Sequence, residues 1–174
     1  MTPFHSFTLA LFLIAVCAAP IRADAQNNAE KPATAAEGCV PAAQLKPVQI
    51  HGLWRVRFAS APAGLPADAT MHLERHAEFS DSVAGYVSRD LRSATGTQAG
   101  TGHAARAQLA GDLENGFLTL DESSNGINIT ATWNGEMAEG SCGKKVTGTW
   151  KDTSAGAPAD TPEIPFTLEK VPGW

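Results

Sequence analysis

Gly52-Leu53-Trp54-Arg55-Val56-Arg57-Phe58-Ala59 alternates large apolar side chains with charged ones. Successive side chains of a strand point to opposite faces, so Trp54, Val56 and Phe58 share one face and Leu53, Arg55 and Arg57 the other. An apolar face backed by a wet one is the pattern of a half-buried strand in an antiparallel sheet. Working outward, the same alternation recurs in Ala69 to Ala77, Ser82 to Arg89, Ala104 to Gly111, Gly116 to Glu122, Gly126 to Trp133, Lys144 to Trp150 and Ile164 to Lys170. Gly, Asn, Asp and Pro punctuate the gaps between these segments. In the sixth, Ile127, Ile129, Ala131 and Trp133 stand opposite Asn128, Thr130 and Thr132. No amphipathic helix competes: over Thr70 to Phe79, the residues Met71, Leu73 and Phe79 do not share a face at 3.6 residues per turn.

Short connections between consecutive strands predict an all-β fold, an eight-stranded antiparallel up-and-down meander closed into a barrel that leaves no free edge. A two-sheet β-sandwich is the alternative. In the meander, strands 1, 3, 5 and 7 run one way, so the three longest connections, Ser60 to Asp68, Asp90 to His103 and Lys151 to Glu163, gather at one end. Phe58, Trp150 and Phe166 are expected toward that end, Trp54 and Trp133 toward the other. The second end also receives Cys39, which precedes the first strand, and Cys142, which precedes the seventh.

The first 25 residues set the chain's address. Phe7 to Ala19 is an uncharged apolar run, too short to span a bilayer, and Ala23-Asp24-Ala25 follows as a small-x-small cleavage site. The reading is a signal peptide over 1–25, an Ala- and Pro-rich flexible N-terminal tail over 26–48 and the barrel domain over 49–174, in the periplasm or secreted. Cys17 leaves with the leader, and Cys39 with Cys142 reads as one disulfide in an oxidising compartment, with two free thiols as the alternative.

The 174 residues hold 13 basic and 18 acidic side chains, a net charge of -5 with no basic block, which excludes nucleic acid and anionic lipid as partners. No transmembrane segment is expected in the mature chain. A membrane barrel is excluded as well, since the non-core face carries Arg55, Arg57, His72, Glu74 and Lys145 where an apolar band would be needed.

Gly52-Leu53-Trp54 resembles the G-x-W start of lipocalins and avidins, the small ligand-binding barrels of the calycin group. Trp133-Asn134-Gly135 through Val146-Thr147-Gly148-Thr149-Trp150 is similar to the avidin W-x-G hairpin ending in a second Trp. Gly85-Tyr86-Val87-Ser88 is similar to the avidin G-x-Y-x-S/T strand. The resemblance implies a calycin-like barrel. It does not carry biotin over: Val56, Ile129, Ala131 and Glu169 stand where the avidin pattern implies Asn, a Ser/Thr pair and Asp, and no Trp lies between Gly116 and Glu122.

Among the histidines, His72, Glu74 and His76 fall on one side of the second strand, but spacing along a strand holds the outer two too far apart to close on one ion, so a solvated face is expected and no metal. No catalytic or nucleotide-binding motif is present, and the chain is read as non-enzymatic with no cofactor. Two functions follow. The first is a binding protein for a small apolar ligand at the barrel mouth, through Phe58, Trp150 and Phe166. The second is a protein-interaction module, for instance an inhibitor of a secreted protease: the bacterial metalloprotease inhibitors resemble this chain in size, signal peptide, G-x-W start and single disulfide.

Overall fold

Backbone pairing runs without a break round the sheet. The computed structural model describes residues 38–90 and 105–173. The leader at 1–25, the tail up to residue 37 and most of the connection from Asp90 to His103 lie outside the described residues. The strands are β1 (Gly52–Phe58), β2 (Asp68–Arg75), β3 (Ser82–Ser88), β4 (Arg106–Glu114), β5 (Phe117–Ser123), β6 (Ala131–Met137), β7 (Lys145–Asp152) and β8 (Ile164–Lys170). Each pairs antiparallel with the next, and β8 returns to β1 with Val56 opposite Leu168 and Phe58 opposite Phe166. The fold is the closed up-and-down barrel, not the sandwich. Among the described residues no helix is long and apolar enough to cross a membrane.

The core is the inward phase of every strand. Trp54, Val56, Met71, Leu73, Val83, Val87, Leu118, Leu120, Val146 and Leu168 are all buried within the barrel. At about 0.8 kcal/mol per buried methylene, these side chains supply the main drive for closure. Turns follow local chemistry. β4 and β5 are joined by Asn115-Gly116, both at positive φ (51° and 85°), the conformation of a two-residue hairpin turn whose twist matches its strands. A side chain at Gly116 would also meet the backbone of Ala42, about 3.1 Å from a built Cβ. On the inner wall, a Cβ at Gly135 would lie 2.6 Å from Val146 Cγ1 and 3.2 Å from Phe166 Cζ, so glycine there leaves room for the Phe166 ring.

The described part of the expected tail packs on the barrel. A 3-10 turn over Ala42–Gln44 leads to a one-turn helix, α1 (Pro47–Ile50), with Ala42, Leu45 and Ile50 buried in the core. Pro47 opens the helix where no amide is needed, and the Gln49 side chain accepts from the Lys46 N–H at 2.6 Å. Cys39 is joined to Cys142, with Cα atoms 4.9 Å apart. The disulfide therefore fastens this segment across the end where both cysteines were expected to meet.

The sixth strand corrects the sequence reading. Ile127 and Ile129 lie in a loop and are exposed, and β6 begins only at Ala131. The Asn125 side-chain carbonyl accepts from the N–H groups of Ile127 and Asn128 (2.9 Å each), and Ser123 Oγ donates to Asn128 O at 2.7 Å. These local bonds offer the backbone an alternative to the ladder, as Asn and Ser side chains do in turns. The inward phase of Ala131 and Trp133 was right, but the strand starts where it was expected to end. Trp133 consequently stands at the end of the long connections, not at the disulfide end.

Candidate functional site

The end of the barrel beneath the long connections carries a charged pair inside an aromatic cluster. Phe58 closes β1, Trp133 lies two residues after the start of β6, and Trp150 lies directly opposite Trp133 on β7. Phe166 on β8 faces Phe58. Trp133 is the hub: its ring centroid is 5.1 Å from Phe166, 5.5 Å from Phe58 and 6.3 Å from Trp150. Phe58 and Trp150 are 5.8 Å apart, edge to face. Such tilted and T-shaped pairs gain about 0.5–1.5 kcal/mol beyond the area they bury.

Arg89 follows β3 directly and its N–H donates to Ala105 O at 2.7 Å, closing the root of the long connection. Its side chain turns inward to Glu122, the last inward residue of β5. Nη1 donates to Glu122 Oε1 at 2.9 Å and Nη2 to Oε2 at 2.6 Å, and both side chains are completely shielded from solvent. Trp133 Nε1 and Trp150 Nε1 also donate to Oε2, at 3.1 and 3.4 Å. Glu122 thus collects donors from three strands or strand ends. Arg89 Nε is buried with no hydrogen-bond partner among the described residues.

A bidentate Arg–carboxylate pair is the strongest form of a charge-assisted hydrogen bond. Sealing it from water nevertheless sets a desolvation penalty against the Coulombic gain, and apolar residues of the same volume often serve stability as well or better. The arrangement is suited to holding geometry: it fixes the orientation of two indoles and of the root of a long connection. It holds the Arg89 Nε–H donor in reserve among the described residues.

The structure brings the three predicted residues, Phe58, Trp150 and Phe166, into one cluster. It places them inside, at 7%, 2% and 4% exposure, in contact with Trp133 and not around an empty mouth. Sequence reasoning missed Arg89 and Glu122. The signal was present: Val83, Gly85, Val87 and Arg89 are in one phase, as are Leu118, Leu120 and Glu122, so two opposite charges point inward at the same end.

The histidines do other work. His72 Nδ1 is 3.9 Å from Glu74 Oε2 and its ring stacks on Tyr86 at 5.2 Å. His76 lies past the end of β2, where its Nδ1 accepts from the N–H groups of Glu78 and Phe79 and caps a turn. Among the described residues, no three His, Cys, Asp or Glu side chains converge as a metal site.

No protein-family profile matches the chain, and no curated protein is similar to it in sequence.

Proposed function

We propose that this is a non-enzymatic binding protein of the periplasm or extracellular space, built on a calycin-like barrel, whose ligand is a small apolar molecule bearing a hydrogen-bond acceptor. The observation that supports this reading is the buried Arg89 beside Phe58, Trp133, Trp150 and Phe166, with Nε unpaired. The pair with Glu122 is formally neutral and Glu122 is occupied by donors, so the unspent capacity is a donor, which calls for a carbonyl or ring-nitrogen acceptor on the ligand. A ligand enters by exchanging ring–ring contacts for its own. The Cys39–Cys142 disulfide fits an oxidising compartment. The test is titration of tryptophan emission with a panel of apolar molecules, half of them carrying a carbonyl. Saturable changes confined to the carbonyl-bearing half are expected, and a flat response to the entire panel removes the reading.

A protein-interaction module has one observation in its favour. Ile127, 84% exposed, and Ile129 project from the loop that Asn125 and Ser123 lock in place. A preorganised loop loses little entropy on docking. Inhibition of secreted metalloproteases by the mature chain, by a form lacking residues 26–37 and by Ile127→Asp separates this reading from the first: it requires inhibition that Ile127→Asp abolishes.

A further inference from the structure

The outer wall of the barrel carries a cleft of about 630 Å³ across β1, β2 and β3, whose lining includes Arg89 and Asp90 as well as outward residues of the three strands. Two cross-strand rows of outward side chains form it. In one row the register aligns Arg55 with Thr70 and Thr70 with Ser88. In the next, nearer the long connections, Arg57 is aligned with Asp68 and bound to it at 3.7 Å. Neighbouring strands lie roughly 4.8 Å apart, so the first row spans about 10 Å, the reach of one Arg side chain and two hydroxyls converging on a common group.

The two rows differ in what they leave unspent. Arg57 is neutralised by Asp68. Arg55 has Glu169 as its register neighbour on β8, yet no ion pair joins them, and no side-chain partner for Arg55, Thr70 or Ser88 occurs among the described residues. The wall therefore presents a planar guanidinium fork and two hydroxyl donors together, bordered by the Arg57–Asp68 pair and by Asp90, which also lines the cleft just past the end of β3. A guanidinium fork matches the oxygens of a carboxylate or phosphate, and hydroxyls extend the donor set. The cleft is shallow and open to solvent, and larger than an inorganic ion.

We infer that this cleft binds a small molecule with one oxyanionic head, a carboxylate or phosphate ester, and an uncharged hydroxylated body. The head lies on Arg55, Thr70 and Ser88. The body lies over the Arg57–Asp68 pair and beside Asp90, where the two carboxylates repel a second anionic group and the Asp68 carboxylate accepts hydrogen bonds from hydroxyls.

The experiment is an NMR titration of the mature protein at constant ionic strength, following the arginine Nε–Hε signals and the amides of β1 to β3. The probes are glycerol phosphate, gluconate and inorganic phosphate, with glycerol as the uncharged control. Saturable shifts centred on Arg55, Thr70 and Ser88 are expected with the first two probes and none with glycerol. Arg55→Ala should weaken binding about tenfold or more, and Arg55→Lys by less, since it keeps the charge and loses the fork. Thr70→Val with Ser88→Ala should weaken it about threefold. Shifts that rise without saturating and persist in Arg55→Ala would mean a diffuse ion atmosphere and overturn the site, as would saturable shifts centred elsewhere. Equal affinity for inorganic phosphate and glycerol phosphate would overturn the role given to the Arg57–Asp68 row.

Discussion

The two ends of the barrel are sealed by opposite means. At the disulfide end the seal comes from outside the sheet: Ala42, Leu45 and Ile50 lie across it, held by Cys39–Cys142. Two long side chains there are met by main chain, and the Glu139 carboxylate accepts from the Ala42 N–H. Trp54 Nε1 donates to Ile50 O at 2.8 Å, and Lys170 Nζ donates to Gln49 O at 2.7 Å while lying 5.9 Å from the Trp54 ring centroid. At the other end the strands seal themselves with their own rings and a side-chain ion pair, with Leu65 of the β1–β2 connection buried beside them. The contrast teaches where specificity resides. The first end relies on main-chain acceptors and a covalent tie, whereas the second depends on three side chains, Arg89, Trp133 and Trp150, donating to one carboxylate.

The hardest way to break the comparison is to unpair that carboxylate. Glu122→Gln leaves Arg89 charged and dry, and should cost about 3–5 kcal/mol in urea unfolding. The double variant Arg89→Met/Glu122→Leu should recover most of that loss, because it buries no charge at all. Equal destabilisation by single and double variants would show the end to be held by packing and not by the pair.

Removing the tie at the opposite end comes next. Cys39→Ser/Cys142→Ser should cost up to about 4–5 kcal/mol by the chain-entropy account, the bridged residues being 103 apart, and less if the segment stays packed. Intact mass with alkylation before and after reduction checks that both thiols are captured only after reduction. Near-UV circular dichroism sharpens the contrast: the variant should perturb Trp54 and leave the Trp133–Trp150 signal in place.

A smaller effect is expected from Lys170→Met, which keeps the stem over Trp54 but loses the bond to Gln49 O. About 1–2 kcal/mol should be lost by chemical denaturation. A loss as large as that of the disulfide variant would mean that the ammonium, not the bridge, secures the segment.

The smallest is a pH effect, confined to the disulfide end. Burial first, and then the Lys170 ammonium, hold the pKa of His51 below its ordinary 6.5. Arg75 and His72 act in the same direction and Glu74 against them. The unfolded chain therefore takes up the proton more readily than the folded one. The stabilisation is complete above pH 6.5 and is lost as pH falls toward the lowered folded value. Melting curves across that interval should steepen in the native chain and flatten in His51→Gln.

Much of the fold was legible because a strand with one wet face writes its own phase. Trp54-x-Val56-x-Phe58 needed no structure to show which residues face inward, whereas the same phase in Leu118-x-Leu120-x-Glu122 was not followed to its charged end. What failed at β6 was position along the chain, not phase. Ile127 and Ile129 continue the alternation, but the bonds from Asn125 and Ser123 that hold them out of the ladder depend on side-chain geometry that apolar patterning does not record.

The sequence by itself determined the alternation of eight strands, the shared end of Cys39 and Cys142, and the inward faces of Trp54, Phe58, Trp150 and Phe166, because local periodicity and short connections leave few ways to pair antiparallel strands. Only the tertiary structure decided that the sheet closes, that Trp133 stands with Trp150 and that Arg89 meets Glu122. The last two contacts join residues 17 and 33 positions apart and closure joins Val56 to Leu168 across nearly the whole sheet, and a shift of a few residues in one strand moves a side chain from one end to the other.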